Sequence, residues 1–401
     1  MDYASAMQWL YAQLPMYQRV GKAALNPNLD GITKLAAHLG NPHQKYKSIH
    51  IAGTNGKGSS AHMLASILQE AGYQVGLYTS PHLKDFSERI RINGVPINQD
   101  YILDFVVSNR TFFEREAFSF FEMTVGLAFD YFAKQQLDIA VIEVGLGGRL
   151  DATNIITPAA CLITNIALDH QQFLGTTRPA IAKEKGGIIK PNTPVVLGTD
   201  DMETFAVFNA IAKSLDAPLC VAEQHNHTTD LRGNYQQQNI NGVVSLLKKL
   251  PSFRVSEDHI RNGLQQVRKN TGIRGRWEIL GTKPTVIADV AHNKAGLEAV
   301  LRQLTSLQYD ALHVVFGMVS DKDVGDLITL LPADATYYLC AAAVPRAMDV
   351  RSLSLHFSNH KRSFTSYESV KHAYAAAQNK ASTEDVIFIG GSLFVVSEIL
   401  P

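Results

Sequence analysis

Short β-rich runs alternate with helix-period segments over most of the chain, which predicts an α/β fold with a largely parallel sheet. Two further observations sharpen that expectation. A glycine-rich turn, GTNGKGS at Gly53–Ser59, joins an apolar run to a helical one. The pattern then changes near TGIRGRWEILGTKP (Thr271–Pro284), a stretch rich in glycine and charge that ends in proline, and a new alternation begins. A P-loop-containing domain over residues 1–280 and a smaller, doubly wound Rossmann-like domain over 281–401 are therefore expected.

The elements follow in order. Ser48–Ala52 reads as a buried strand. The stretch SSAHMLASILQEAG after it reads as a helix, because Met63, Leu64, Ile67, Leu68 and Ala71 recur at helical spacing and Gly72 is placed to end it. Val75–Thr79, Ile139–Val144, Cys161–Ile166 and Pro194–Leu197 are further apolar strand runs, with helical patterns at Ile102–Val107 and Met123–Phe132. Beyond the boundary come TVIADV, a helix from about Lys294, ALHVVFG, a helix from about Val324, TYYLCA, a helix from about Ser369, and DVIFIGG.

Composition excludes several classes. With 401 residues, 46% hydrophobic and 18% charged, the chain can bury two ordinary cores. Lysine plus arginine and aspartate plus glutamate are both 37, so nothing marks a protein built to hold nucleic acid or an anionic membrane. Cys161, Cys220 and Cys340 are odd in number and far apart, which fits neither a disulfide framework nor a zinc knuckle. The first residues lack a basic start and a long apolar run, and no stretch of about 18 apolar residues appears, so a cytoplasmic location is expected. The absence of heptads and swapped arms makes a monomer the expectation.

GTNGKGS departs from the usual Gly-x4-Gly-Lys-Ser/Thr spelling at both flanks, yet its physics is that of an anion site. Glycines let backbone N–H groups converge without Cβ obstruction. The following helix adds free N–H groups and a positive dipole, and Lys57 adds a mobile charge. The competing reading is a polar turn that happens to hold a lysine.

In open α/β sheets ligands lie beyond the carboxyl ends of the strands, and other strand ends carry suggestive residues. Glu143 meets a glycine loop and either holds Mg²⁺ or pairs with Arg149. Asp169 and His170 follow another strand; a lone histidine is more often structural, and imidazole is not a preferred Mg²⁺ ligand. Ser80 offers a hydroxyl before Pro81, where turn chemistry is an equal explanation. Lys183, Glu184 and Lys185 read as a solvated helix end. Asp289, His292 and Asn293 either take a ribose and a base or cap the helix near Lys294. His225 and His227 look like a metal pair, though a surface loop is the plainer reading.

Taken together, NPHQKYKSIHIAGTNGKGS, LYTSPHLKDFSERIRING, VIEVGLGGRLDATN, ITNIALDH, IAKEKGGI, RGRWE, DVAHN and GGSLFVVSEIL resemble the folylpolyglutamate synthase/dihydrofolate synthase family of the Mur-ligase superfamily, in family order from about residue 40 onward. There GTNGKGS is the regular spelling. The resemblance implies a Mur-ligase-like N-terminal domain and an ATP-dependent amide ligase with small-molecule substrates. A pterin-linked carboxylate would take the γ-phosphoryl group of ATP, and the amine of L-glutamate would then displace phosphate. It assigns Gly53, Thr54, Asn55, Gly56, Lys57, Gly58 and Ser59 to ATP phosphates, and Ser80, Glu143 and His170 to Mg²⁺. Lys185 matches a lysine that becomes a carbamate able to support a second Mg²⁺. Asn239, Arg276, Asp289 and His292 match nucleotide contacts, and Phe121 and Glu122 lie where the family has a Phe-Glu pair beside the pterin, with buried aromatic packing as the alternative. Closure of the two domains over the site is the further implication.

Departures exist. Val290 and Lys294 replace a Gly and a Pro, Lys185-Gly186-Gly187 replaces Lys-Ala-Gly, and RVGKAALNPNLDGI departs from the opening segment near the pterin pocket. Two other functions compete: another Mur-type amino-acid ligase, against which the LGNP and TSPHL spellings argue, and a P-loop module whose nucleotide state controls a partner.

Overall fold

The computed structural model describes residues 1–13, 28–320, 322 and 324–401; most of the departing segment RVGKAALNPNLDGI lies outside them. The chain forms two compact units. One comprises Met1–Asp230 and Gln237–Gly272, the other Leu231–Gln236 and Ile273–Pro401.

In the first unit the strands are β1 Lys47–Ala52, β2 Val75–Tyr78, β3 Ile90–Ile92, β4 Val95–Pro96, β5 Ile139–Glu143, β6 Ala160–Ile163, β7 Val195–Leu197 and β8 Leu219–Val221. Their order across one eight-stranded sheet is β4-β3-β2-β5-β1-β6-β7-β8. From β2 to β8 every pairing is parallel, and β3 and β4 add an antiparallel edge. The central strands β1, β5 and β6 are buried along nearly their whole length, as expected when both faces of a parallel sheet are covered. One core packs the Gln99–Glu116 and Phe120–Lys134 helices on one face, with Phe105, Phe113, Phe120, Phe129 and Phe132 among its fillers. A second core, around Ile181, Ile188 and Phe208, covers another part of the sheet.

The second unit holds β9 Glu278–Thr282, β10 Thr285–Ala288, β11 Leu312–Phe316, β12 Thr336–Leu339, β13 Phe364–Ser366 and β14 Val386–Gly390, ordered β13-β12-β11-β14-β10-β9. All pairs are parallel except β9–β10. Its own core includes Leu297, Leu301, Val314, Phe316, Tyr337, Phe357 and Phe388. The expected mostly parallel α/β architecture with a smaller second domain is the one observed. Among the described residues no helix is long and apolar enough to cross a membrane.

Candidate active site

Four neighbouring strands, β2, β5, β1 and β6, carry the residues singled out in the sequence. Register aligns their carboxyl ends: Ile51 is level with Glu143, Tyr78 with Ile142, and Ala52 with Ile163. Ser80, Glu143, the Gly53–Ser59 loop and the Asp169–His170 turn therefore leave one edge of one sheet.

The Gly53–Ser59 loop is braced from β6. Thr54 N donates to Asn165 O at 2.8 Å, Asn55 N to Asn165 Oδ1 at 3.0 Å, and Thr164 Oγ1 to Asn55 O at 2.6 Å. Gly53 (φ 145°) and Gly56 (φ 83°) adopt backbone conformations that L side chains rarely reach. A Cβ at Gly53 would collide with Thr164 Oγ1, and one at Gly56 with Asn239 Oδ1. The Lys57–Glu70 helix starts at Gly56 with no side chain capping it, so its first-turn amides are suited to an anion. Lys57 Nζ rests on Thr54 O at 3.2 Å. In the sequence, Thr164 and Asn165 are marked only by their place in ITNIALDH.

Ser80 N donates to Glu143 Oε2 at 3.1 Å, and Glu143 is 4% exposed. Arg149 pairs with Glu184 at 3.0 Å, so the sequence alternative that set Arg149 against Glu143 is not what forms. His170 sits at φ 49°, with its N–H on Asp169 Oδ1 at 2.7 Å and Nε2 3.9 Å from Asp169 Oδ2. A buried carboxylate beside a hydroxyl is a hard-oxygen donor pair that fits Mg²⁺, an ion that keeps waters and takes phosphate oxygens. Among the described residues no three His, Cys, Asp or Glu side chains gather into a cage; His225 Nε2 meets Ser245 Oγ at 3.2 Å and His227 pairs with Glu257 at 3.1 Å.

Lys185 corrects the helix-end reading. Lys183 is exposed, but Lys185 is buried and its Nζ donates to Gly53 O at 2.8 Å. Burial, reinforced by the Lys57 cation, lowers its ammonium pKa to about 7, with Asp169 and Asp151 opposing. The signal was present: Lys185 falls four residues after Ile181, on the helix face that Ile181 and Ala182 bury.

Asp151, in VIEVGLGGRLDATN, is half-buried. Its Oδ2 accepts from Leu146 N at 2.9 Å and its Oδ1 from Thr153 N at 3.0 Å and Thr153 Oγ1 at 2.5 Å. Thr153 Oγ1 also meets His50 Nε2 at 2.8 Å. Burial holds the His50 pKa at about 3, so the ring is neutral; with the hydroxyl proton spent on Asp151, His50 Nε2 carries the hydrogen. This chain of bonds ties β1 to the loop after Glu143. Around Gly145, Asp151 Oδ2, Ser80 Oγ and Phe121 Cε1 would all lie within 4 Å of a Cβ.

Phe121 is half-buried, edge-on to Phe120 with centroids 5.7 Å apart. Glu122 is committed to a capping box: Oε2 accepts from Ser119 N and Ser119 Oγ, each at 2.8 Å. The SPHL loop is held by Arg89, whose Nε donates to His82 Nδ1 at 2.8 Å, and by Glu88, which accepts from the amides of Leu83, Lys84 and Asp85.

In the second unit Arg276 is half-buried, and the His292 ring Nδ1 lies 3.0 Å from Val290 O. Asn293 caps the Lys294–Leu304 helix, whereas Asp289 and His292 do not.

Two sheets of this topology, with a GTNGKGS loop braced as described, define a Mur ligase. Family models agree: the Mur ligase middle domain matches residues 51–257, and the Mur ligase, glutamate ligase domain matches residues 275–393. The folylpolyglutamate synthase of Lacticaseibacillus casei is 32% identical, over 100% of this chain and 98% of that protein. The dihydrofolate synthase/folylpolyglutamate synthase of Escherichia coli is 30% identical, over 98% and 94%. A probable bifunctional folylpolyglutamate synthase/dihydropteroate synthase of Haloferax volcanii is 34% identical over 99% of this chain, which spans only 50% of that relative's length. Among solved structures, Escherichia coli FolC in complex with DHPP and ADP superposes with a TM-score of 0.86 at 29% identity, covering 100% of this chain and 98% of that one. Mycobacterium tuberculosis folylpolyglutamate synthase complexed with ADP gives 0.87 at 28% identity, covering 99% and 98%. The chain belongs to the folylpolyglutamate synthase/dihydrofolate synthase family.

Proposed function

We propose that this protein is an ATP-dependent amide ligase that joins L-glutamate to a pterin-linked carboxylate, that of dihydropteroate, of a folate, or of both. One observation carries the reading: four adjacent strand ends deliver an anion-binding loop, the Ser80–Glu143 pair and the Asp169–His170 turn to a single edge. A related structure, a bifunctional folylpolyglutamate synthase/dihydrofolate synthase with Mn, AMPPNP and L-glutamate bound, is 28% identical with a TM-score of 0.86, and supports the same ligand classes here.

Carboxylates are poor acyl donors because oxide is a poor leaving group. The acceptor carboxylate takes the terminal phosphoryl group of ATP, giving an acyl phosphate and ADP. The glutamate amine then adds to the acyl carbon and expels phosphate. No protein nucleophile is needed; the residues position reactants and balance charge. Amides of Gly53–Ser59 and the Lys57 ammonium hold the phosphates, with Asn239 set against Gly56. Ser80 and Glu143, with His170 as the family match assigns it, would hold Mg²⁺, which neutralises phosphate charge when bound. Lys185, as a carbamate, would turn a buried cation into an anion that supports a second ion. Arg276 and His292 are the nucleotide contacts proposed in the second unit, and Phe121 an apolar wall for the pterin.

ADP formation measured with dihydropteroate and then with tetrahydrofolate, each with and without glutamate, tests the proposal. Turnover that needs an acceptor and glutamate together is expected. Hydrolysis indifferent to both would instead support the nucleotide-controlled module and end the ligase reading.

A further inference from the structure

Asp289 lies at the end of β10, and the sequence leaves it as a nucleotide ligand or a helix cap. It caps no helix, and most of its acceptor capacity is committed within the second unit. The residue is 2% exposed. Oδ2 accepts from Tyr235 Oη at 2.6 Å and from Trp277 N at 2.8 Å, and Oδ1 accepts from Ala291 N at 2.9 Å. A carboxylate oxygen has two lone pairs, so Oδ2 is filled from within the unit while Oδ1 keeps one acceptor site. Burial pushes the Asp289 carboxyl pKa up, while the Tyr235 hydroxyl and the Arg276 cation pull it back.

What this carboxylate holds is the turn that presents Arg276. Gly275 (φ 70°) and Trp277 (φ 45°) flank Arg276 in left-handed conformations, the second one unusual for so bulky a residue. The turn is pinned at three points: Gly275 N to Glu278 Oε2 at 2.7 Å, Val290 N to Gly275 O at 3.1 Å, and Trp277 N to Asp289. Tyr235 comes from elsewhere in the sequence. Leu231–Gln236 belongs to the second unit although the chain on both sides belongs to the first. This six-residue strap is fastened again by Gln303, which accepts from Asn234 N at 2.6 Å and donates to Arg232 O at 3.1 Å.

We infer that Tyr235 is a positioning residue for nucleotide binding, acting through Asp289 to hold the Arg276–Trp277 turn. The inference rests on the proposal that Arg276 contacts the nucleotide. Trp9 and Trp277 are the two tryptophans, so a Trp9→Phe parent leaves Trp277 as a reporter inside the turn. ATP is titrated with Mg²⁺ and without any acceptor, which makes the readout independent of which carboxylate the enzyme uses.

Tyr235→Phe in that parent should raise the ATP dissociation constant about ten-fold, the size of one hydrogen bond to a charged group. Trp277 emission should move to the red, and kcat at saturating ATP should stay within about two-fold. An unchanged dissociation constant, or a lost kcat with unchanged affinity, overturns the inference. Should Tyr235→Phe fail to fold, Gln303→Ala decides, with a rise of about three-fold expected and parent affinity contradicting. A parent that binds no ATP sinks the nucleotide reading and this inference together. Normal ATP binding with the predicted Tyr235→Phe loss, but no ligase turnover, sinks only the proposed reaction.

Discussion

Lys57 and Lys185 are two lysines at one loop with opposite circumstances. Lys57 is half-buried on a single carbonyl, so Lys57→Ala should cost turnover about a hundred- to a thousand-fold while thermal melting stays near the parent value. Lys185 is buried with a pKa of about 7, and only a neutral amine adds CO2. Its neutral share grows as pH rises through that value, so activity regained by CO2-depleted enzyme on adding bicarbonate should climb between about pH 6 and pH 8. Lys185→Ala should be inactive and partly rescued by short carboxylates; full activity in that variant would remove the carbamate from the account. Thr153 links His50 to Asp151, and Thr153→Val leaves the buried His50 Nε2 without its partner and takes the hydroxyl from Asp151, which keeps the Leu146 and Thr153 amides. It should lower unfolding free energy by about 2 kcal/mol in urea titrations, with Thr153→Ser close to the parent. At this scale the sequence showed residue types but not their partners. Glu122 and Asp289 look like ligands in a string of letters, and only the fold reveals the bonds they also make to Ser119, Tyr235 and Trp277.

Strand runs were legible because a parallel strand covered on both faces is continuously apolar; Ser48–Ala52 and Ile139–Val144 differ from β1 and β5 by one residue at an end. Helices were less so. The Gln99–Glu116 helix shows its period only over Ile102–Val107, since much of its remaining length faces water. The β3–β4 edge is marked in the sequence only by Asn93 and Gly94, both at positive φ, a two-residue hairpin signal. The glycine loop offers an element-scale test with an internal control. Gly56 and Gly72 have φ of 83° and 85°, but a Cβ meets Asn239 at Gly56 and nothing within 4 Å at Gly72. Gly56→Ala should weaken ATP binding more than ten-fold, as read by isothermal titration, while Gly72→Ala costs about 1 kcal/mol of stability and leaves affinity unchanged. Equal affinities for the two variants would argue against the loop as the phosphate site.

For the molecule as a whole, the two-sheet plan could be read from the change of pattern near Thr271, because each alternation of strands and helices needs its own core. The Leu231–Gln236 excursion could not, since six mostly polar residues carry no period. The chemistry proposed for the whole molecule is a transfer between ATP and a carboxylate, and oxygen keeps the record of it. If the acceptor is labelled with ¹⁸O in its reacting carboxyl group, each turnover with glutamate should release phosphate carrying one ¹⁸O, because the oxygen that attacks phosphorus leaves with it. Amide product formed with unlabelled phosphate would contradict the account.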